Sequence, residues 1–576
     1  MLTIPTGERE LISFANEMIE MCSVSQAMRA SYYRLLNVIA ETGRYDGTKS
    51  LVNMMNTHLE RTASHLFSPV ELKFAIDYDN GYDANQIKRG EVIAKHLTRQ
   101  WEKSSTDILY GRGVFEGLKY GAAVLKQWAT EEGEEGEKIP SYEKDLVLPW
   151  NFGVFREDKN DIDKQDALLE TTSLTGPEVW QRIYRFPNAK KLYEQIMTHA
   201  RSGETSGTPD SFFHQVLSTS QLQTGVSSNT RPLPGGIVQI GNDPNYSIMG
   251  PTVGAPTVKF HELWVKGEDD YKTIQMIEPD VLITKFKLSN LLIKGSRRQP
   301  YRLIQPNPVT NWFWGRSELV DLIEPQGLLA QWLDDLKRLI GLQIDKIIGF
   351  SGENQITDEV YAAFRTSGYM NLGMGGKAED LTPKFPAELL PCIKFMLEMI
   401  NTLGSFPEIM QGKGEPGVRA GVHANTLLKT ASPTLRDRAL LVERQCAISA
   451  DLTLELMEAK EDRKFWTASD KPEDAEKTGF MISDLPSDYR VTVDSHSSSP
   501  IFADESQQLI FALRKAGDVD GEYAIDNLPL PNKEAAKAGL RNRAKAKQEQ
   551  TKELLAKFPE EAGKQAAKSL IGGSRR

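Results

Sequence analysis

A short helical run at 388–403, a break rich in glycine and proline at 404–417 and a far longer helical run at 418–460 follow one another in this chain. Pro433 falls in the middle of the long run. Proline removes a backbone donor and clashes with the preceding turn, so the helix is expected to bend or break there. At 1.5 Å per residue the run would span roughly 60 Å, too long for one side of an ordinary small domain. A helix of that length needs support from other layers or other subunits. The order short helix, loop, long kinked helix therefore points toward a ring-forming protein rather than an enzyme.

The 576 residues leave room for a large core and several sub-domains. A hydrophobic share of 40% with 26% charged residues is that of a soluble globular chain. No stretch approaches the ~18 apolar residues of a membrane span, and the opening MLTIPTGERELISF does not have the form of a signal peptide. Cys22, Cys392 and Cys446 are widely scattered, which fits a reducing compartment without a disulfide framework. No cysteine pair has ligand spacing and the eight histidines are dispersed, so no metal site is expected.

A net charge of −10 argues against a protein that wraps DNA tightly, but the charge is uneven. Residues 532–576 hold twelve Lys/Arg, among them Lys533, Lys537, Arg541, Arg543, Lys545 and Lys547, against five acids. That end is about +7, leaving about −17 for the rest. It fits a basic end beside something anionic, or a solvated Ala/Lys-rich helix.

Residues 8–68 read as helical, with Leu11, Ile12, Phe14, Ala15, Met18 and Ile19 at helical spacing. A second helical block is expected over 84–128, then a surface loop over the acidic stretch 131–137. Past Pro149 strands are expected at 166–174, before a helix opening at Thr175-Gly176-Pro177-Glu178, and at 258–265, 271–277 and 281–285. Residues 201–257 read as long surface loops. A helix is expected over 316–348 with a break near Pro325, its stripe formed by Leu328, Leu329, Trp332, Leu333, Leu336, Leu339, Ile340 and Ile347. Tyr489, Val491 and Val493 alternate with polar neighbours as in a half-buried strand.

Catalytic motifs are hard to find. Gly412-Lys413-Gly414-Glu415-Pro416-Gly417 matches G-x-G-x-x-G, but it follows a helix rather than a strand, and Glu415-Pro416 puts a negative charge and a missing N–H in the cradle. A flexible loop is the better account. Gly373-Met374-Gly375-Gly376-Lys377 lacks the spacing and the Ser/Thr of a P-loop. Trp312, Phe313 and Trp314 have the makings of a base-stacking platform, yet three aromatics before a helix are more often core. His423 reads as structural.

Five segments, in order, together resemble the portal proteins (head-to-tail connectors, podovirus-like) of tailed bacteriophages. The stretch 101–125, with TDILYGRGVFEGLKYGAAVL, looks like the family's helix ending in a G-x-G-V-type turn. Residues 258–285, containing HELWVKGEDDYKTIQMIEPDVLI, look like its wing hairpin, and 311–322, NWFWGRSELVDL, like the start of its first stem helix. GSFPEIMQ at 404–411, followed by the long helix with Arg436, Arg438 and Glu443, resembles the tunnel loop and the helix behind it. GDVDGEYAIDNL at 517–528 is similar to a helix-turn pattern of the crown.

The resemblance implies an α+β, mainly helical chain with wing, stem, clip and crown, assembling as a ring of about twelve copies. The wing would be 1–315, the first stem helix 316–348, the clip 349–385, the second stem helix 386–404 and the tunnel loop 405–420. The long kinked wing helix and return strand would occupy 421–503, and the crown and basic tail 504–576. It implies a non-enzymatic DNA channel at one capsid vertex, with no cofactor and no catalytic residue. Lys413 and Arg419 would contact DNA in the channel, and Lys533, Lys537, Arg541, Arg543, Lys545 and Lys547 would face it from crown and tail. Partners would be double-stranded DNA, the terminase large subunit, head–tail adaptor and tail proteins, and the major capsid and scaffolding proteins, with no membrane. The place would be the virion, with host cytoplasm during assembly. The alternatives are a nucleotide-dependent packaging or remodelling ATPase using 412–417, and a structural adaptor without a channel.

Overall fold

The periodic apolar residues that begin at Leu11 continue to Ala40, so the first helix is long enough to serve two separate cores. The computed structural model describes residues 3–46, 48–69, 72–78, 84–132, 139–201, 257–267, 271–283, 299–344, 348–351, 357–359, 362, 377–404, 433–461, 463–466, 479–486, 489–493, 510–515, 521, 524–525, 539–540 and 543. Along the chain, helices α1 (Glu8–Thr42) and α2 (Met54–Leu66) lead to strand β1 (Phe74–Tyr78) and helices α3 (Ala84–Lys103) and α4 (Thr106–Tyr120). Strands β2 (Ala123–Glu132), β3 (Ile139–Val147), β4 (Phe152–Val154) and β5 (Ala167–Thr175) follow, then helices α5 (Gly176–Ile183) and α6 (Ala189–Arg201). Next come strands β6 (Thr257–Lys266), β7 (Tyr271–Ile277), β8 (Val281–Leu282) and β9 (Tyr301–Ile304), then helix α7 (Ile323–Ile344). The described elements close with β10 (Ile348–Ser351), β11 (Lys377–Asp380), α8 (Leu389–Leu403), α9 (Pro433–Lys460) and β12 (Tyr489–Val493). Every ladder among the described residues is antiparallel, and helix outweighs strand, so the fold is α+β.

Strands β4-β5-β6-β7-β8 form one five-stranded meander. Odd positions of β5 and β6 (Ala167, Leu169, Leu263, Val265) meet Leu11, Ala15, Met18 and Cys22 of α1. On the other face, Val258 and Phe260 pack with Val179, Ile183 and Ile196 of α5 and α6, while Leu168 and Trp264 join the main core. Period-two alternation with both faces covered explains why this sheet is apolar on both sides. Helix α5 opens at the expected residues, with Glu178 accepting from the Thr175 backbone N–H at 2.7 Å.

The main core gathers the second half of α1, helices α2, α3 and α4, the sheet β3-β2-β9 and helix α9. Helix α9 is buried nearly all round from Ser449 to Met457, as expected of a central strut rather than a surface helix. Tyr110 donates to the Val442 carbonyl at 3.1 Å, Gln445 exchanges hydrogen bonds with the Gln305 backbone, and Thr453 donates to Gln127 at 2.8 Å. Strand β12 pairs with β1 in register Tyr489↔Tyr78, as its alternation predicts.

Four expectations need correction or narrowing. Residues 84–128 are two helices followed by a strand, not one helical block. The break is Gly121, at φ +99, where an added Cβ would lie 2.6 Å from the Trp314 carbonyl oxygen. The Gly111–Val114 segment is not a turn but the interior of α4, and a Cβ on Gly113 would lie 2.6 Å from Ile304. Helix α7 starts at Ile323 rather than 316, and Pro325 sits in its first turn, where a proline needs no break. Glu131 and Glu132 end β2, paired with Pro140 and Ile139, so the acidic stretch is partly strand. The loops expected at 201–257 lie, from 202 to 256, outside the described residues.

Candidate functional site

Helices α7 and α8 form a pair whose feet stand in the main core. Leu329 and Ala330 of α7 are buried, as are Ile393, Met396 and Ile400 of α8. Gln326 locks the foot of α7, donating to the Val52 carbonyl at 2.9 Å and accepting from the Met54 N–H at 3.1 Å. Arg44 donates to the Ala330 carbonyl at 3.3 Å and pairs with Asp334.

From Gln331 to Ile344 no side chain is buried. Leu333, Leu336, Ile340 and Ile344 follow at steps of three and four on one side of α7. The first two are half-buried, whereas Ile340 is 48% and Ile344 76% exposed. On α8, Leu390 is 53% and Phe395 63% exposed. Gln343 donates to the Pro383 carbonyl at 2.7 Å, and β10 pairs with β11 in register Ile348↔Asp380, joining the pair at its far end. Large apolar side chains exposed along a helix pair are a candidate interaction surface.

Glu318 collects polar partners from distant parts of the chain. Arg438 of α9 donates to its two oxygens at 3.0 and 2.9 Å, Asn307 donates at 2.8 Å, and His58 Nε2 of α2 lies at 3.3 Å. Burial alone would raise this carboxyl; the His58 hydrogen bond and the Arg438 charge outweigh it and hold it at about 2. The far end of α9 is held likewise, with Glu461 accepting from Tyr142 at 2.9 Å and lying 3.1 Å from His96 Nε2.

Between the two large sheets, Lys126 of β2 lies 2.6 Å from Glu170 and 2.9 Å from Glu262, which face each other across the β5–β6 ladder. Tyr301 donates to Glu170 at 2.8 Å, and Trp264 to Glu262 at 2.8 Å. Burial and the facing Glu262 raise the Glu170 pKa; Glu262 is lowered, burial being outweighed by Lys126 and Trp264. Lys144, on β3, is lowered to about 7 by burial, its ammonium 3.0 Å from Thr106 Oγ1 and 4.7 Å from the Trp101 ring centre. None of these groups stood out in the sequence, because each is an isolated charge whose partners are remote in the chain.

Lys413 and Arg419 lie outside the described residues, with the whole of 405–432 and its G-x-G-x-x-G match. So do Lys533, Lys537, Arg541, Lys545 and Lys547; Arg543 is helical and exposed. Pro433 is the first residue of α9 as described, and the residues before it, where the kink would show, lie outside. Phe313 and Trp314 are core, and Trp312 is part-exposed. A groove of about 420 Å³ separates α9 from β12, lined by Glu443, Arg444, Ile448, Asp451, Arg490 and Thr492 among others. Among the described residues no group of three His, Cys, Asp or Glu could hold a metal, and no helix is long and apolar enough to cross a membrane. No protein-family model and no curated protein matches this chain.

Proposed function

We propose that this chain is a phage portal protein: about twelve copies close a ring at one capsid vertex, and double-stranded DNA passes through its axis during packaging and ejection. The observation that carries the reading is the α7–α8 pair, rooted in the core yet exposing Ile340, Ile344, Leu390 and Phe395. One chain has no described partner for those side chains. A heterologous contact repeated around an axis supplies one and, when the rotation closes, makes a ring.

On this reading α7 and α8 are the stem, and the β10–β11 ladder is the base of the clip that meets the terminase and later the adaptor. Helix α9 braces the wing. An acidic body suits a conduit for a polyanion, because every strong phosphate contact would add friction and salt-dependent affinity. Lys413 and Arg419 in the tunnel loop and the basic tail are the steadying cations. The protein neither binds nor turns over ATP.

Native mass spectrometry and negative-stain images of the purified 64.5 kDa chain test the assembly. A closed ring with a central hole is expected, and monomer or dimer alone at micromolar concentration overturns it. Deleting 411–417 is expected to preserve the ring and capsid incorporation while impairing retention of packaged DNA.

A further inference from the structure

In a chain whose body is acidic, residues 176–201 carry five Lys/Arg against two acids. Helices α5 and α6 bury Val179, Ile183 and Ile196 against Val258, Phe260 and Ile277, which fixes the hairpin on the meander and turns its other side outward. That side holds two aromatic rings one helical turn apart: Trp180 is 38% and Tyr184 50% exposed. Tyr193 of α6 meets the Trp180 ring edge-on at 5.6 Å and steadies it. Arg185 Nε donates to the Tyr184 hydroxyl at 2.7 Å, and the Arg182 guanidinium lies 4.1 Å from the Phe260 ring centre. Arg182, Arg185, Lys190 and Lys191 are all exposed, and among the described residues none of the four forms an ion pair. Arg156 and Arg316, also exposed, are instead paired with Asp158 and Asp321. Of the two acids, Glu178 is engaged by the Thr175 N–H at 2.7 Å.

We propose that the α5–α6 hairpin is a binding surface for a single strand of nucleic acid, DNA and RNA alike. Bases stack on Trp180 and Tyr184, and Arg182, Arg185, Lys190 and Lys191 take phosphates. One turn sets the two rings roughly 6 Å apart along the axis, wider than the step of about 3.4 Å in a stacked duplex strand. A strand with its bases spread therefore fits both rings, whereas a duplex, its bases turned inward, offers them nothing to stack on. An acidic peptide would meet the cations but leave the rings unused. A lipid surface is a poorer match, because the aliphatic side chains of the hairpin are buried or half-buried and none projects to insert. A monomer would offer this surface as readily as a ring, so it stands apart from the portal reading.

Fluorescence anisotropy of a labelled oligothymidine of roughly 15 nucleotides, titrated with the full-length protein, tests this. Micromolar binding is expected, with log affinity falling against log salt at a slope of about −3 for four phosphate contacts. Trp180→Ala/Tyr184→Ala should weaken binding at least about tenfold and keep the slope. Lys190→Gln/Lys191→Gln should instead roughly halve the slope. Ultraviolet cross-links should fall within 176–193, and oligouridine should bind as oligothymidine does. All four side chains are exposed, so both variants should unfold like wild type; should Trp180→Ala lose its fold, Tyr184→Ala and the lysine pair decide alone. Binding untouched by the aromatic substitutions would place the strand on other cations of the chain and overturn the proposal. So would a duplex or polyglutamate that displaces the probe as well as unlabelled oligothymidine does. Binding to phosphatidylserine vesicles with none to the oligonucleotide would overturn it too.

Discussion

The body of this protein and its α7–α8 pair are built by the same rules to opposite ends. In the body the large elements are covered on more than one side: α9 by strands β12, β9, β2 and β3 and helices α2 and α3, the five-stranded meander by α1, α5, α6 and the main core. In the pair, α7 loses its last fully buried residue at Ala330, fourteen residues before the helix ends. Yet the apolar stripe continues, through Leu333 and Leu336 to Ile340 and Ile344. A helix that only needed to stay in water would turn polar where its core ends. This one does not, so among the described residues its apolar side stays exposed beyond the core.

Perturbing the body should show up in the chain's own stability. The largest effect is expected at Lys126→Met, which leaves Glu170 and Glu262 facing each other without their shared cation. Breaking a buried pair in this way costs about 3–5 kcal/mol at neutral pH. Both carboxyls of the variant would have folded pKa values above their unfolded ones, so its deficit should shrink as pH falls and the pair takes up protons. Urea unfolding at pH 8 and pH 5 checks both size and sign. An equal deficit at the two values would mean that the lysine acts by packing alone.

Glu318 comes next, and with the opposite pH trend. Its carboxyl is held at about 2 against an ordinary 4.5, so its stabilising contribution is complete above the unfolded value and disappears as pH falls toward 2. The shift corresponds to about 3 kcal/mol. The stability difference between wild type and Glu318→Gln should therefore be near that size at pH 6 and close to zero at pH 2. A smaller effect, about 1–3 kcal/mol, is expected from Gly121→Ala, because alanine there meets both a positive φ and the Trp314 carbonyl. An unfolding midpoint unchanged in that variant would show that the α4–β2 corner relaxes freely.

What the sequence revealed follows the same divide. The strands at 257–277 are two apolar runs separated by Gly267-Glu268-Asp269-Asp270, and Thr175-Gly176-Pro177-Glu178 carries its own capping box, so both were legible. Strand β2 was not. Ala123, Val124 and Leu125 are all buried, so no alternation shows, and the helical periodicity of α4 runs into it unbroken apart from Gly121. The glycines of α4 were read as a turn because a sequence does not distinguish a glycine that bends the chain from one that admits Ile304. Glu318 was invisible for a simpler reason: His58 and Arg438 lie 260 and 120 residues away. The stripe of α7 was plain from its spacing. Only the structure tells which part of it is core, since Leu329 is buried and Ile340 is exposed.

The smallest expected effect on the chain itself is the one that decides between the two regions. Ile344 is 76% exposed and Phe395 63%, so serine at either position removes little buried area within the chain and should move its unfolding free energy by no more than about 0.5 kcal/mol. If those side chains are seated against a neighbouring copy, the same serines take apolar area out of a contact repeated at every joint of the ring. The expected result is an unfolding curve like that of wild type, measured on dissociated chains, with a native mass spectrum shifted from closed rings to small species. Leu329→Ser is the control, because it opens the foot of α7 and should lower stability whatever the assembly state. Intact rings in Ile344→Ser and Phe395→Ser alike would place the joint elsewhere on the molecule. The exposed stripe would then need another explanation, and the far end of the pair, where β10 pairs with β11, becomes the next place to substitute.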